Sequence, residues 1–316
     1  MELLKGIHHV TSMAGDPQTN VNFYCGVLGL RLVKLTVNFD DPYTYHLYYG
    51  DAVGSPGTIL TFFPLGENSH GTIGTGEVTT VSFAVPKGSF PFWQEHLEKH
   101  SVGVTPGVER LGFTRMEFHD PDGIRLEIVE DQTARPFAFW QAGGIPETFA
   151  VRGLFGITMS VASAANTVRF LVDRMGANPK TTKEGSELLE LGEPESVGFV
   201  EVVATGQRRR GLMGSGTVHH VAWRVANEDE QLAWQSKLSE SGVGVTPVRD
   251  RKYFRSIYFR EPGEVLFEIA TDPPGFTVDE PRESLGSRLQ LPQWLECERP
   301  FLHKLLPPIK VPSVAE

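Results

Sequence analysis

Two histidine pairs begin two similar strand-like segments at opposite ends of this chain. His8-His9 lies in GIHHVT, and His219-His220 lies in TVHHVAW. A carboxylate, Glu268, lies in the segment GEVLFEI that follows the second pair. Two histidines and one carboxylate can hold a metal ion on one face and leave its other positions open. The sequence therefore predicts a metal centre, and the rest of the chain must position these side chains.

The segments that carry these residues belong to an internal repeat. GTGEVTTVSFAVP at 74–86 resembles GSGTVHHVAWRVA at 214–226, and DPDGIRLEIVED at 120–131 resembles EPGEVLFEIATD at 261–272. Alternating apolar and polar residues, punctuated by Gly and Pro, predict strands, and apolar residues spaced among charges predict a helix. Each unit is therefore expected to form a strand, a helix and three further strands.

The chain is predicted to contain four such βαβββ modules in an α+β fold, arranged as two cupped mixed sheets. The N-terminal half, 1–131, contains modules one (6–64) and two (77–131), followed by a linker at 132–152. The C-terminal half, 153–275, contains modules three (153–204) and four (217–272), followed by a tail at 276–316. Because a single unit cannot bury its own apolar face, the modules are expected to pair.

The fourth module shows the clearest pattern. We expect strands at 217–225, 244–249, 254–260 and 264–270, and a helix over about 228–241. Asn227 is the predicted N-cap of this helix, and the helix is indicated by Leu232, Trp234 and Leu238 spaced among charged residues.

Histidine pairs occur only in modules one and four. Thr79-Thr80 occupies the equivalent place in module two, and Phe155-Gly156 occupies it in module three. If a single metal ion uses both pairs, modules one and four must share one sheet and leave modules two and three to share the other. The sequence thus predicts a pairing that does not follow chain order.

Strand alternation selects one histidine from each pair. In module four it places His220 on the same face as Glu268 and Tyr258, and places His219 on the apolar face. The equivalent residue of module one, His9, is expected to point the same way. Glu127 occupies in module two the place of the fourth module's carboxylate, but without histidines beside it we expect either a relic of a metal site or a member of a salt bridge.

The first residue of each pair is expected to act indirectly. His8 and His219 are predicted to lie off the ligand face, where a hydrogen bond can orient a metal-binding histidine. Thr11 is expected beside the first pair, on the face that points into the cup. His46, in the segment YTYHLYYGD, is a strand histidine that we also consider as a residue of the pocket.

Composition limits the classes of function. A net charge of -10 and a pI of about 5.5 argue against nucleic acid or a membrane surface as a partner. The two cysteines, Cys25 and Cys297, are too few for a disulfide framework and favour a reducing compartment, so a cytoplasmic location is expected. No secretory signal or transmembrane run is expected.

The order of these motifs resembles a known family. IHHVT, YHLYYGD, VHHVAW, RKYFRSIY, VLFEI and a later SLG resemble the vicinal-oxygen-chelate superfamily over about residues 5–275. Within it, the chain is most similar to ring-cleaving dioxygenases that act on hydroquinones and related dihydroxybenzenes. The resemblance implies Fe(II) bound by His9, His220 and Glu268, and extradiol-type cleavage with O₂ in aromatic degradation or quinone detoxification.

The resemblance also implies roles for residues around the metal. Arg251 is expected to stabilise the substrate anion, and Tyr258 is expected to donate a hydrogen bond and relay a proton. His219 is expected to assist proton transfer, and His8 and Thr11 are expected to line or support the pocket. A small aromatic substrate and O₂ are the implied partners, and a homo-oligomer is compatible with the sequence.

Three alternatives remain open from the sequence. A glyoxalase-type isomerase would use four protein ligands, but the last strand of module one, TILTFF at 58–63, offers no carboxylate or histidine. An antibiotic thiol transferase could use the same three ligand types, and a metal-free protein could bind aromatic compounds. Mn(II) is the alternative metal, and the choice between hydroquinone and catechol substrates is not determined.

Overall fold

Two large sheets form the framework of the molecule. The computed structural model describes residues 3–66, 69–132, 135–183, 185–194, 196 and 198–311. Within these residues, sixteen strands form two eight-stranded mixed sheets, each built from two βαβββ modules.

The strands and helices follow the repeat. The first half of the chain forms β1 Ile7–Ala14, β2 Arg31–Asn38, β3 Asp41–Gly50, β4 Ile59–Pro64, β5 Glu77–Pro86, β6 Val104–Arg110, β7 Phe113–His119 and β8 Arg125–Asp131. The second half forms β9 Gly153–Val161, β10 Asn178–Lys183, β11 Ser186–Leu191, β12 Gly198–Ala204, β13 Val218–Val225, β14 Arg249–Asp250, β15 Arg255–Arg260 and β16 Leu266–Thr271.

The helices are short and follow the first strand of each module, with one more in the tail. They are α1 Pro17–Val21, which continues as a π-helical turn over Asn22–Val27, α2 Phe90–Lys99, α3 Ala164–Asp173, α4 Glu228–Glu240 and α5 Arg299–Leu305. Short 3₁₀ turns occur at Gln141–Gly143, Phe276–Val278, Arg282–Ser284 and Gln293–Glu298. Within the described residues, none of these helices has the length and apolar character needed to cross a bilayer.

The strand order confirms the predicted pairing of modules. The first sheet runs β14-β15-β16-β13-β1-β4-β3-β2 and so joins module four to module one. The second sheet runs β10-β11-β12-β9-β5-β8-β7-β6 and joins module three to module two. In each sheet the first strands of the two modules pair antiparallel at the centre. Residues from the two ends of the chain therefore meet in the middle of the first sheet.

The apolar face of each sheet is covered by helices. In module four, Val221, Trp223 and Val225 are fully buried in the same core cluster as Trp234 and Leu238 of α4. Burying such side chains stabilises the fold by roughly 1.5–3 kcal/mol each. The opposite face of the sheet is left free to carry polar side chains.

Helix α4 begins as predicted, and a polar side chain is buried beneath it. The Asn227 side chain accepts a hydrogen bond from the backbone N–H of Glu230 and caps the helix. Leu232 is 48% exposed, whereas Trp234 and Leu238 are buried together with Gln231. The Gln231 amide donates to the backbone carbonyls of Arg255 and Ile269, which satisfies the polar group beneath the helix.

The strand predicted at 244–249 is largely absent. Only Arg249–Asp250 forms a strand there, pairing with Arg255 and Ser256. Pro247 has no N–H to donate to a ladder. The preceding Thr246 donates its N–H to the Tyr258 carbonyl, and its side-chain hydroxyl accepts from the Tyr258 N–H.

The tail packs along the edge of the first sheet. Leu289 forms a parallel bridge with Leu35 of β2, and the N–H of Gln290 donates to the Leu35 carbonyl. The fully buried Lys34 binds Asp279 at 2.6 Å and also contacts the carboxylate of Glu280. A buried ammonium requires such partners, so these ion pairs fix the tail to the sheet.

Candidate metal centre

The first histidine pair lies at a β-bulge where β1 meets β13. Ile7 pairs with Trp223 and His9 pairs with Ala222, which leaves His8 as the extra residue on β1. A bulge of this kind interrupts the alternation of side chains between the two faces of a sheet. His8 is buried, and its Nδ1 atom lies 2.9 Å from Nδ1 of His9.

The second pair lies at a matching bulge on the partner strand. Thr11 pairs with His220 and Ser12 with Val218, which leaves His219 as the extra residue on β13. Nδ1 of His219 lies 2.6 Å from Nδ1 of His220. The prediction that His219 lies on the apolar face is wrong, because the bulge resets the alternation and both histidines line the same cavity.

Three ligand-type atoms converge between the central strands. Nε2 of His220 lies 2.9 Å from Oε2 of Glu268, and Nε2 of His9 lies 3.5 Å from the same oxygen. The two Nε2 atoms are 3.4 Å apart. All three side chains are buried, and the described residues contain no other group of three or more such side chains arranged to hold a metal ion.

The spacing and hydrogen bonding of these atoms fit a divalent metal ion. Metal–ligand bonds of about 2.1 Å at right angles place neighbouring ligand atoms about 3.0 Å apart. Oε2 of Glu268 is buried but accepts no hydrogen bond, whereas Oε1 accepts one from the Ser256 hydroxyl. A buried carboxylate oxygen without a hydrogen bond is costly, and a bound cation would satisfy it.

The charges at the site also suit metal binding. Burial alone would raise the pKa of Glu268, but His9 and His220 hold the pKa of this carboxyl well below its usual range. Burial lowers the pKa of His220 and lowers the pKa of His219 to about 3. An ionised carboxylate and a neutral imidazole are the forms that bind metals, so the forms of Glu268 and His220 match that use.

A cavity of about 240 Å³ opens beside these three residues. Its apolar lining is Met13, Phe39, Phe63, Leu65 and Phe254. Its polar lining includes Thr11, His46, Tyr48, Arg251 and Tyr258. A mostly apolar wall with a few convergent polar groups is typical of a site for a small organic ligand.

His46 and Thr11 belong to one hydrogen-bonded chain along the cavity wall. Thr61 donates to Thr11 Oγ1 at 2.9 Å, and Nε2 of His46 lies 2.9 Å from the Thr61 hydroxyl. The Tyr48 hydroxyl lies 2.8 Å from Nδ1 of His46. Burial lowers the pKa of His46 well below its usual range, so its ring is neutral and held at both nitrogens.

Arg251 and Tyr258 lie together on the module-four side of the cavity. Nε of Arg251 donates to the Tyr258 hydroxyl at 3.0 Å, and the guanidinium carbon is 5.3 Å from the centre of the tyrosine ring. Burial and Glu268 raise the pKa of Tyr258, although Arg251 lowers it. The phenol therefore stays protonated and can donate its proton to a ligand in the cavity.

Some residues at the site were not identified from the sequence. Strand alternation places Ser256 on the same face as Tyr258, but no role at the site was predicted for it. The Phe254 ring has its centre 5.0 Å from that of His9. Phe254 begins the strand expected at 254–260 on the same face as Tyr258, so the same alternation could have found it. Asp40 lies at the rim of the cavity in the turn between β2 and β3, and no sequence signal pointed to it.

The equivalent place in the second sheet is filled by ion pairs. Glu127 is fully buried, accepts hydrogen bonds from Ser82 and Arg115 at 2.7 Å, and also contacts Arg110. Glu201 of module three joins the same cluster through Arg110 at 2.9 Å. The predicted salt bridge of Glu127 is thus present, and guanidinium groups occupy the space where the first sheet leaves three ligand atoms open.

A sequence profile described as the glyoxalase/bleomycin resistance protein/dioxygenase superfamily matches residues 6–128 and 153–278. The chain is 47% identical over 306 residues to "Putative ring-cleaving dioxygenase MhqO" of Bacillus subtilis (strain 168), covering 97% of each protein. It is 36% identical over 303 residues to "Chlorohydroquinone/hydroquinone 1,2-dioxygenase" of Sphingobium indicum, covering 93% of this chain and 94% of the relative.

A solved structure extends this similarity to three dimensions. The crystal structure of a "putative dioxygenase" from Bacillus subtilis superposes with a TM-score of 0.93 at 44% sequence identity and covers 99% of both chains. The two-sheet arrangement is therefore that of a close relative as well as of this chain.

Proposed function

This chain belongs to the glyoxalase/bleomycin resistance protein/dioxygenase superfamily, and from that premise we propose that it is a metal-dependent ring-cleaving dioxygenase. Its proposed substrates are dihydroxybenzenes, with hydroquinones favoured because a relative that is 36% identical carries that activity in its name. The proposed reaction is extradiol-type, breaking a ring bond beside a hydroxylated carbon and adding both atoms of O₂.

One observation carries the proposal. Nε2 of His9, Nε2 of His220 and Oε2 of Glu268 lie within 3.5 Å of one another beside an open cavity. This is the donor set of non-haem Fe(II) oxygenases, which keep positions free for substrate and O₂. When bound, Fe(II) supplies the transfer of electrons between an electron-rich ring and O₂. Fe(II) is therefore the proposed metal, with Mn(II) as the alternative.

The side chains around the triad perform the remaining work. His8 and His219 contact the inner nitrogens of His9 and His220 and fix the direction of their Nε2 atoms. Arg251 places positive charge where a ring hydroxyl becomes an anion, which stabilises that charge.

Tyr258 acts through its proton. Its hydroxyl accepts a hydrogen bond from Arg251, so its own hydrogen is available for a substrate oxygen. The neutral His46 and Thr11 set the polar side of the cavity, and Phe254 forms an apolar wall against which a ring can pack.

The isomerase alternative lacks a fourth ligand beside the three proposed ones within the described part of the chain. Thr61 occupies the place in module one that Glu268 occupies in module four, and its hydroxyl is engaged with His46 and Thr11. A threonine engaged in this way leaves a three-ligand site with open positions, which favours O₂ chemistry over the isomerase.

The test is oxygen consumption with defined substrates. Protein purified without oxygen is loaded separately with Fe(II), Mn(II) and Zn(II), and each form is given hydroquinone, methyl- and chlorohydroquinone, and catechol. We expect one O₂ consumed per ring opened with Fe(II) or Mn(II), a ring-opened product by mass spectrometry, and no reaction with Zn(II). Absence of uptake and of ring-opened product across the panel would contradict the proposal.

A further inference from the structure

The guanidinium of Arg251, which lines the cavity from module four, is held by Asp40 of module one. Arg251 precedes β15 in module four, whereas Asp40 lies in the turn between β2 and β3 of module one. Nη2 of Arg251 donates to Oδ2 of Asp40 at 2.8 Å. This ion pair spans the rim of the cavity, because both residues line it.

The guanidinium group is fixed at two of its three nitrogens. Nε donates to the Tyr258 hydroxyl at 3.0 Å and Nη2 donates to Asp40, whereas Nη1 has no hydrogen-bond partner in the described part of the chain. A guanidinium is a planar fork, so two contacts determine the direction of the third nitrogen. Arg251 is 17% exposed at its side chain, and its unpaired nitrogen is the donor available to a ligand.

Asp40 is itself held in place. Its backbone N–H donates to the Asn38 side chain at 3.0 Å, which closes a tight turn. The neighbouring Phe39 packs edge-on against Trp294 of the tail, with ring centres 5.8 Å apart. The hydrogen bond from Arg251 lowers the pKa of the Asp40 carboxyl, so this partner stays ionised.

From this geometry we propose that Asp40 is a positioning residue for the dioxygenase reaction, which aims the free Nη1 of Arg251 at the anionic oxygen of the bound substrate. The inference rests on the proposed function and adds a residue of module one to the substrate site. Its role depends on the module pairing, since Asp40 and Arg251 meet only when the first and last modules share a sheet.

Asp40→Asn should change kcat/KM in opposite directions depending on whether Asp40 positions Arg251 or acts only through its negative charge. Asp40→Asn removes a negative charge from the rim, which by itself favours binding of an anion. Positioning predicts the opposite, because the guanidinium loses one of its two fixed contacts. Misplacement of a binding group by about 1 Å can cost about 100-fold in rate. We therefore expect kcat/KM for hydroquinone to fall by about 10- to 100-fold in Asp40→Asn.

A matched variant controls for loss of a surface ion pair. Glu228→Gln breaks the ion pair between Glu228 and Nε of Arg255, which are 2.8 Å apart. Arg255 lies on β15, the strand of Tyr258, but outside the cavity. The Glu228 side chain is 57% exposed, as is that of Asp40. Glu228→Gln should retain the kcat/KM of the unaltered protein. If Glu228→Gln and Asp40→Asn lost kcat/KM equally, the loss would reflect weakened stability of the sheet and not the positioning of Arg251.

A double-mutant cycle tests whether Asp40 acts through Arg251. In the Arg251→Met background, Asp40→Asn should change kcat/KM by less than about twofold, because the group to be positioned is absent. A full additive loss in that background would overturn the proposal. Asp40→Glu, which keeps the charge, should recover part of the activity lost in Asp40→Asn.

A binding measurement separates this inference from the proposed function. 4-Nitrophenol is titrated into oxygen-free protein loaded with Zn(II), and its ionisation is followed by absorbance. We expect Asp40→Asn to weaken binding of the nitrophenolate several-fold and Glu228→Gln to leave it unchanged. Tighter binding in Asp40→Asn would show that Asp40 only repels the anion, and would reject the positioning role. This outcome can be read even if the protein cleaves no ring.

Discussion

Thr61 and Glu268 occupy equivalent positions on the two halves of the first sheet. Thr61 lies on β4, paired in parallel with Thr11, two residues after His9. Glu268 lies on β16, paired in parallel with Ala222, two residues after His220. Two pairs of equivalent positions therefore surround the centre of the sheet. Three of them carry the side chains that we propose as metal ligands, and the fourth carries the hydroxyl of Thr61, which leaves the proposed site open.

Introducing a carboxylate at the fourth position should close the site. Thr61→Glu is expected to slow metal loss to a chelator and to abolish ring cleavage, because a fourth protein ligand occupies a position needed by substrate or O₂. Thr61→Val is the control of similar shape, and it should bind metal with unchanged stoichiometry. Metal content after chelation and O₂ uptake are the measurements, and a Thr61→Glu enzyme of full activity would contradict the equivalence.

Removing the carboxylate ligand should remove the metal. Mutating residues that only hydrogen-bond to metal ligands already lowers metal affinity by about 10- to 100-fold. Loss of the ligand itself in Glu268→Ala should therefore lower metal affinity by at least about 100-fold. Elemental analysis of the desalted, Fe(II)-loaded protein checks this expectation, and far-UV circular dichroism checks that the variant is folded. A folded Glu268→Ala protein with one iron per chain would disprove the triad.

The carboxylate at the matching position of the second sheet should matter for stability instead. Glu127→Ala leaves the guanidinium of Arg115, 3% exposed at its side chain, without its main partner. Loss of one member of a buried ion pair costs about 3–5 kcal/mol of unfolding free energy. Urea denaturation should show that loss, with iron stoichiometry preserved in the folded fraction. A cost below about 1 kcal/mol would place the cluster in the class of surface salt bridges.

Stability should also depend on pH through a buried carboxyl remote from the metal. Burial raises the pKa of Asp120 to about 7, although backbone N–H groups and the Tyr24 hydroxyl donate to it. Since the folded pKa exceeds the unfolded value, the folded state binds the proton more tightly. The resulting stability is fully present below about pH 4 and is lost as pH rises to about 7.

Asp120→Asn, whose side chain does not titrate, is the variant that isolates the contribution of the Asp120 carboxyl to the unfolding free energy. The unfolding free energy of the unaltered protein minus that of the variant should fall between pH 4.5 and pH 8, by at most about 4 kcal/mol. Subtracting the two proteins removes the titration of every other group. A difference that stays constant over this interval would show that Asp120 is ionised in both states.

Sequence patterns were sufficient for the organisation of the fold. The repeated motifs identified four modules, and the absence of histidines from modules two and three indicated that one and four share a sheet. Strand alternation brought His220, Glu268 and Tyr258 together, because the period of two residues is a local property of any extended strand. The same local rule places Ser256 on the face of Tyr258, and in the structure its hydroxyl donates to Glu268.

Tertiary structure decided the features that alternation cannot describe. His219 lines the cavity because a bulge forms only where two strands meet with unequal residue counts, and no single strand carries that information. The strand expected at 244–249 is lost because Pro247 cannot join a ladder. The contact of Asp40 with Arg251 depends on packing between residues 211 positions apart.

By itself, then, the sequence determined which residues could bind a metal and which modules must meet, since both follow from repeated local patterns. The direction of Arg251, the hydroxyl of Thr61 at the fourth position and the bulges behind the histidines were decided by the assembled sheet. Their physical cause is the same in each case: the side chain is directed by a partner strand or turn that is distant in the chain.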